Sequence, residues 1–201
     1  CNNKIILVAI LLFNTIKGLG QEAQFTSEPK RGEYSIVAYI STGASYFPSR
    51  SAIPTYLNAH VIRVQSISTI RLLWFPDHMV KVGIETGHIG FFSYTLTDSA
   101  GNKGKIALSA IPILLEWSMS VTKHFNIFAG SGGYILRTRL DFAGKSQANK
   151  FSVGWMAAAS YILPLSKNTG LGSEFKWLYA AETSQGSVCL QIQFVWKFLK
   201  W

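Results

Sequence analysis

From Val188 to Phe198 the chain alternates without a break. Val188, Leu190, Ile192, Phe194, Trp196 and Phe198 fall on one stripe, and Cys189, Gln191, Gln193, Val195 and Lys197 on the other. A period of two puts these sets on opposite faces of a β-strand. The same period recurs upstream. Leu171, Phe175, Trp177 and Tyr179 oppose Glu174 and Lys176, while Phe151, Val153, Trp155, Tyr161 and Leu163 oppose Gly154, Ala158 and Ser160. Ile111, Ile113, Leu115, Trp117 and Met119 oppose Glu116 and Ser118. Val80, Val82 and Ile84 stand against Lys81 and Glu85, and Ile70, Leu72 and Trp74 against Arg71. Beyond residue 31 no segment sustains a helical period.

Turn chemistry divides this pattern into strands near 33–45, 63–75, 79–95, 104–121, 124–140, 150–163, 169–182 and 187–200. Short connections fall at Pro76-Asp77-His78, at Thr122-Lys123-His124 and from Pro164 to Thr169. Longer, more polar ones run from Tyr46 to Ala59, Thr97 to Lys103 and Asp141 to Lys150, with a tighter one near Thr183 to Gly186. Short and long connections that alternate are a property of outer-membrane barrels. The predicted fold class is therefore all-β: one antiparallel up-and-down transmembrane β-barrel of about eight strands over residues 32–201.

Alternation alone describes a soluble sandwich equally well. Two further features favour the membrane reading. Single charges recur mid-strand on the face away from the apolar stripe: Arg71, Lys81, Glu85, Glu116, Glu174, Lys176 and Lys197. In a narrow closed lumen they are expected to pair as one network, because a buried charge without a partner costs several kcal/mol. Trp74, Trp117, Trp155, Trp177 and Trp196 all lie on the apolar stripes and form the expected interfacial aromatic girdle.

The front of the chain has another character. Lys4 precedes an apolar run from Ile5 to Phe13, and small and polar residues follow from Asn14 to Gly20. That is the layout of a secretory signal, read here as residues 1–20 with cleavage after Gly20; residues 21–31 are a polar, disordered lead-in. Only Cys1 and Cys189 are present, so no intramolecular disulfide is expected once the signal leaves. The net charge of +9 falls to +7 when Lys4 and Lys17 leave with it. The remaining basic residues are scattered through strand-like segments rather than grouped in a nucleic-acid motif, so anionic lipid is the expected partner and nucleic acid is not.

Chemistry-bearing motifs are sparse. His60, His78, His88 and His124 have no metal-ligand spacing, and neither metal nor cofactor is expected. Ser51, His60 and Asp98 fall near the outer rim, but nothing in their spacing selects them as a triad. Gly130-Ser131-Gly132-Gly133 lacks the lysine of a nucleotide-binding loop, so its glycines are read as room for lumen side chains. Arg137, Arg139 and Asp141 climb one face toward the outer rim, where they suit lipopolysaccharide phosphates or a salt bridge.

With its leader, its strand pattern and the aromatic ending Val195-Trp196-Lys197-Phe198-Leu199-Lys200-Trp201, the chain from 32 to 201 resembles the small outer-membrane β-barrel domain family. The OmpA transmembrane domain and OmpW-like proteins are familiar members. The resemblance implies integral location in the cell outer membrane; outer-membrane lipid and lipopolysaccharide are the expected partners of the scattered basic surface, and a monomer is expected. The resemblance also implies that the barrel-assembly machinery reads Phe194, Trp196, Phe198 and Trp201. Trp201 is out of phase with the other three, which implies a bulge or a frayed end. The expected role is non-enzymatic: structural, adhesive or surface-interacting. A narrow channel or carrier for small solutes and a secreted lipocalin-like binder are the alternatives.

Overall fold

A computed structural model describes residues 34–48, 59–76, 80–97, 103–141, 144–183 and 186–200. The expected signal segment (1–20), the expected lead-in (21–31), Ser51, His78, Asp98 and Trp201 lie outside the described residues. The strands are β1 (Ser35–Tyr46), β2 (Ala59–Ile62), β3 (Val64–Phe75), β4 (Val80–Thr97), β5 (Lys103–Ser120), β6 (Phe125–Asp141), β7 (Lys145–Pro164), β8 (Thr169–Ala180) and β9 (Gly186–Lys200). Both β2 and β3 pair with β4, and only Arg63 separates them, so together they make one wall position. The barrel thus has eight positions. Every pairing is antiparallel, the wall follows chain order, and β1–β9 closes the ring.

Closure has a measurable slant. The paired row that starts at Trp196 passes Ala38, Leu72, Ile84, Leu115, Ser131, Trp155 and Tyr179, then returns to β9 at Gly186. One circuit therefore climbs ten residues along β9, from 196 to 186. For eight strands that shift corresponds to a tilt of about 40°. A ring of this kind leaves no sheet edge at membrane depth, so the backbone satisfies its own hydrogen bonds there.

One difference from the sequence expectation concerns a connection. The expected long loop from Asp141 to Lys150 is instead largely strand: β6 and β7 stay paired out to Asp141 and Lys145. Residues 145–151 are exposed on both faces, so this hairpin stands clear of the barrel body. A register shift between Ile36 and Val37 pairs them with Leu199 and Lys197, leaving Phe198 unpaired. The stripe changes phase there, and Leu199 joins Phe198 on the exposed face.

The interior is filled. A turn-side apolar layer contains Val37, Leu73, Phe75, Ile162 and Val195, all buried. A loop-side layer contains Ile67, Ile89, Phe91, Tyr134 and Leu178, with Phe47 packed edge-on to Phe91 at 5.5 Å between ring centres. Arg71, Glu85, Glu116, Glu174 and Lys176 lie between the two.

Candidate functional site: the ionic layer and the two faces of the wall

Arg71 projects inward from β3 directly opposite Glu85 on β4. Its Nη2 lies 2.5 Å from Glu85 Oε2 and its Nη1 2.7 Å from Glu174 Oε2, while Nε faces the Glu116 carboxylate. Lys176 completes the layer from β8, with Nζ 2.6 Å from Glu85 Oε1 and 2.8 Å from Glu174 Oε1. In the ring order β8 is diametrically across from β4, so the Lys176–Glu85 pair spans the lumen. These five side chains are buried, and their formal count is two cations against three carboxyls.

Neighbours outside the seven charges finish the layer. Gln193 Nε2 donates to Glu174 Oε2 at 2.5 Å. The Arg71 guanidinium sits 4.1 Å from the Phe128 ring centre and 5.7 Å from that of Tyr39, so aromatic faces cover it from the turn side. Gln193 stands on the polar stripe of β9, which is signal enough to place it inside. Tyr39 and Phe128 carry none, because an inward aromatic looks like an outward one when the neighbouring residues are also apolar. Gly130 supplies the space for Glu116. A Cβ built there meets Glu116 Cγ and the Leu115 carbonyl at 2.9 Å each. Gly130→Val is expected to cost about 1–3 kcal/mol by overpacking, seen as a lower urea midpoint for unfolding.

Among the described residues, ion pairs join five of the seven charges. Lys81 lies nearer the turn end, where Nζ donates to Ser120 Oγ at 2.5 Å and sits 4.2 Å from the Phe75 ring centre. Ser120 Oγ passes the chain on to Asn126 Oδ1 at 2.7 Å. Lys197 is on β9 opposite Val37, at the same end of the barrel. Face alone groups both residues with the others; their height separates them.

The histidines are also apart. His88 projects from the outer face of β4, while His124 lies in the β5–β6 turn with Nδ1 3.1 Å from the Ile162 carbonyl oxygen. Gly130 and Gly132 face the lumen, and Gly133 faces outward beneath the Phe151 ring.

The outer face is the apolar one. Ile84, Leu190, Ile192 and Phe175 are 58%, 64%, 63% and 55% exposed. Four of the five tryptophans of the expected girdle separate into two levels. Trp74, stacked with Tyr34, and Trp196, tilted against Phe198, lie toward the turn end, while Trp117 lies between the two levels on the paired row that joins Trp74 to Trp177. Trp155 and Trp177 meet edge-on at 4.2 Å and form a loop-side cluster with Tyr179. From Trp196 to Val188, the partner of Trp177, the wall rises about 20 Å, close to the apolar band of a membrane barrel. A soluble binding barrel places its apolar stripe inside; here ionic groups are inside and the apolar belt is outside.

This is an up-and-down β-barrel of the membrane-spanning kind. Among solved structures, the chain is similar to OprG, an outer membrane protein of Pseudomonas aeruginosa, at 15% identity over 83% of this chain and 96% of that one, with a TM-score of 0.48. It is similar to the N-terminal β-barrel domain of OprF from the same organism at 11% identity, 82% and 98% coverage and a TM-score of 0.46. It is also similar to Ail, the attachment invasion locus protein of Yersinia pestis, at 6% identity, 84% and 98% coverage and a TM-score of 0.46. No protein-family model and no curated protein matches the sequence.

One sector of the belt departs from the apolar rule. Thr42 on β1, Ser68 on β3 and His88 on β4 are cross-strand neighbours on the outer face. Thr42 Oγ1 lies 3.1 Å from Ser68 Oγ and 3.3 Å from the Ile67 carbonyl oxygen, which satisfies both hydroxyls locally.

Proposed function

We propose that the protein is a monomeric, non-enzymatic outer-membrane barrel whose role is structural, adhesive or surface-interacting, with its lumen closed to solutes. The observation that carries this reading is the ionic layer of Arg71, Glu85, Glu116, Glu174 and Lys176, held between two apolar layers. Eight strands leave room inside for side chains and little else. Lipid is the partner of the belt. Beyond the loop-side aromatic cluster, Arg137 and Arg139 on β6 and Lys105 on β5 stand at headgroup height, which suits the phosphates of lipopolysaccharide. Phe194, Trp196 and Phe198 on the exposed face of β9 suit recognition by the assembly machinery.

The closed lumen gives a direct prediction. Purified protein reconstituted in planar bilayers is expected to show no conductance steps while migrating as a heat-modifiable band on a denaturing gel. Regular steps from folded protein would overturn the closed reading in favour of a narrow channel.

A further inference from the structure

The β6–β7 hairpin leaves one strand edge open. β7 pairs with β6 along its whole length, out to Lys145 opposite Asp141. With β8 it pairs only from Gly154, opposite Ala180. From Lys145 to Val153, β7 therefore has a strand on one side and none on the other among the described residues.

The groups on that open side can be named. The Ile162 N–H donates to the His124 carbonyl, on the β6 side of β7. The β6–β7 register has no shift from Phe125 to Asp141, so every even-numbered residue of β7 turns its N–H toward β6. The odd-numbered residues Lys145, Gln147, Asn149 and Phe151 turn N–H and C=O to the open edge. At Ser152 and Val153 local contacts close the edge. The Glu182 N–H donates to Ser152 Oγ at 3.1 Å, and Ser152 Oγ donates to the Val153 carbonyl at 3.2 Å. Lys150 Nζ pairs with Glu182 at 2.6 Å.

Neither a proline nor a bulge blunts this edge, although both are common protections. Its surroundings are basic on balance, with four cations against Asp141, opposite Lys145, and Glu182, the partner of Lys150. Lys145 and Lys150 are on β7, and Arg137 and Arg139 stand on β6 opposite Asn149 and Gln147. Like charges oppose pairing with the same edge of a second copy, whereas an acidic strand is attracted.

We propose that the open edge of β7 docks an extended acidic segment of a partner protein, which adds to the sheet as a further strand. The proposal rests on the surface-interaction reading and names the partner chemistry for it. Main-chain bonds from Gln147, Asn149 and Phe151 supply the pairing, and Lys145, Arg137 and Arg139 select acidic sequence.

The test uses the whole folded protein in detergent micelles and a fluorescent synthetic peptide of alternating threonine and glutamate, long enough to span Lys145 to Phe151. Anisotropy is expected to report binding. The same peptide N-methylated at alternate residues is expected to bind at least about tenfold more weakly, since it keeps its charge and loses its pairing groups. Gln147→Pro with Asn149→Pro removes two edge donors without touching the β6 ladder, so binding should fall while heat-modifiable migration persists. Lys145→Glu should weaken binding and make it less sensitive to salt. Equal binding of methylated and unmethylated peptide, equal binding by the proline variant, or no binding at all would each overturn the proposal. Conductance reports on the closed lumen separately, so a conducting barrel that binds the peptide refutes only the closed-lumen reading.

Discussion

Arg71→Met is expected to lower the stability of the folded barrel by about 3–5 kcal/mol, the usual effect of removing one partner from a buried ionic group. The cost falls unevenly on the three carboxyls that Arg71 serves. Glu85 and Glu174 keep Lys176 within 2.6 and 2.8 Å. Glu116 loses the one ion-pair partner it has among the described residues, and its Oε1 already lacks a hydrogen bond there. The formal excess of negative charge in the layer rises from one to two. A compensating change should therefore restore most of the loss: Arg71→Met combined with Glu116→Gln returns the excess to one and replaces a stranded charge with an amide. Urea unfolding in lipid vesicles, followed by tryptophan fluorescence and by heat-modifiable migration, measures both variants. A single variant as stable as the parent, or a double variant no better than the single, would show that the layer does not brace the barrel.

The layer also marks what the amino-acid pattern does and does not reveal. Alternation identifies the face of a strand, and the face alone assigns Arg71, Glu85, Glu116, Glu174 and Lys176 to the lumen. Height is a different quantity, because it depends on register and on the tilt that the ten-residue climb imposes. Lys81 shares the inner stripe with Glu85 but lies four residues away along β4, about 10 Å lower in a barrel tilted this far. It meets Ser120 and Phe75 instead of a carboxyl. Lys197 is displaced in the same way, four residues beyond Gln193 on β9.

Polarity has a second blind spot at the hairpin. Lys145 to Lys150 carries no apolar stripe, because both of its faces meet water. It reads as loop, and only the ladder to β6 makes it strand. The inner apolar layers are hidden for the opposite reason. Around Leu114 and Phe91 apolar residues occupy consecutive positions, so inward and outward members of the wall look alike in sequence. The tryptophans have the right face by alternation, but their heights again require the register.

Ile192→Arg separates the membrane barrel from every water-soluble arrangement of the same strands. Ile192 is 63% exposed on the outer face of β9, between the turn-side Trp196 and the loop-side cluster around Trp177. Its cross-strand partners are Thr42 and Ser173. At that depth a guanidinium must be drawn through hydrocarbon, which costs about 2–4 kcal/mol near the bilayer midplane. If the same face met water, exchanging an exposed isoleucine for arginine would change stability by only about 0.5 kcal/mol in either direction. The two expectations do not overlap, and the lumen contributes to neither, because Ile192 points away from it. Asn149→Arg on the protruding hairpin serves as the control, since it adds the same side chain outside the belt and should be nearly neutral. Unfolding midpoints in phospholipid vesicles give the comparison. A large loss at 192 with little change at 149 fixes the belt at the height where the two tryptophan levels bracket it. Equal, small effects at both positions would mean that the apolar outer face is not held in a membrane.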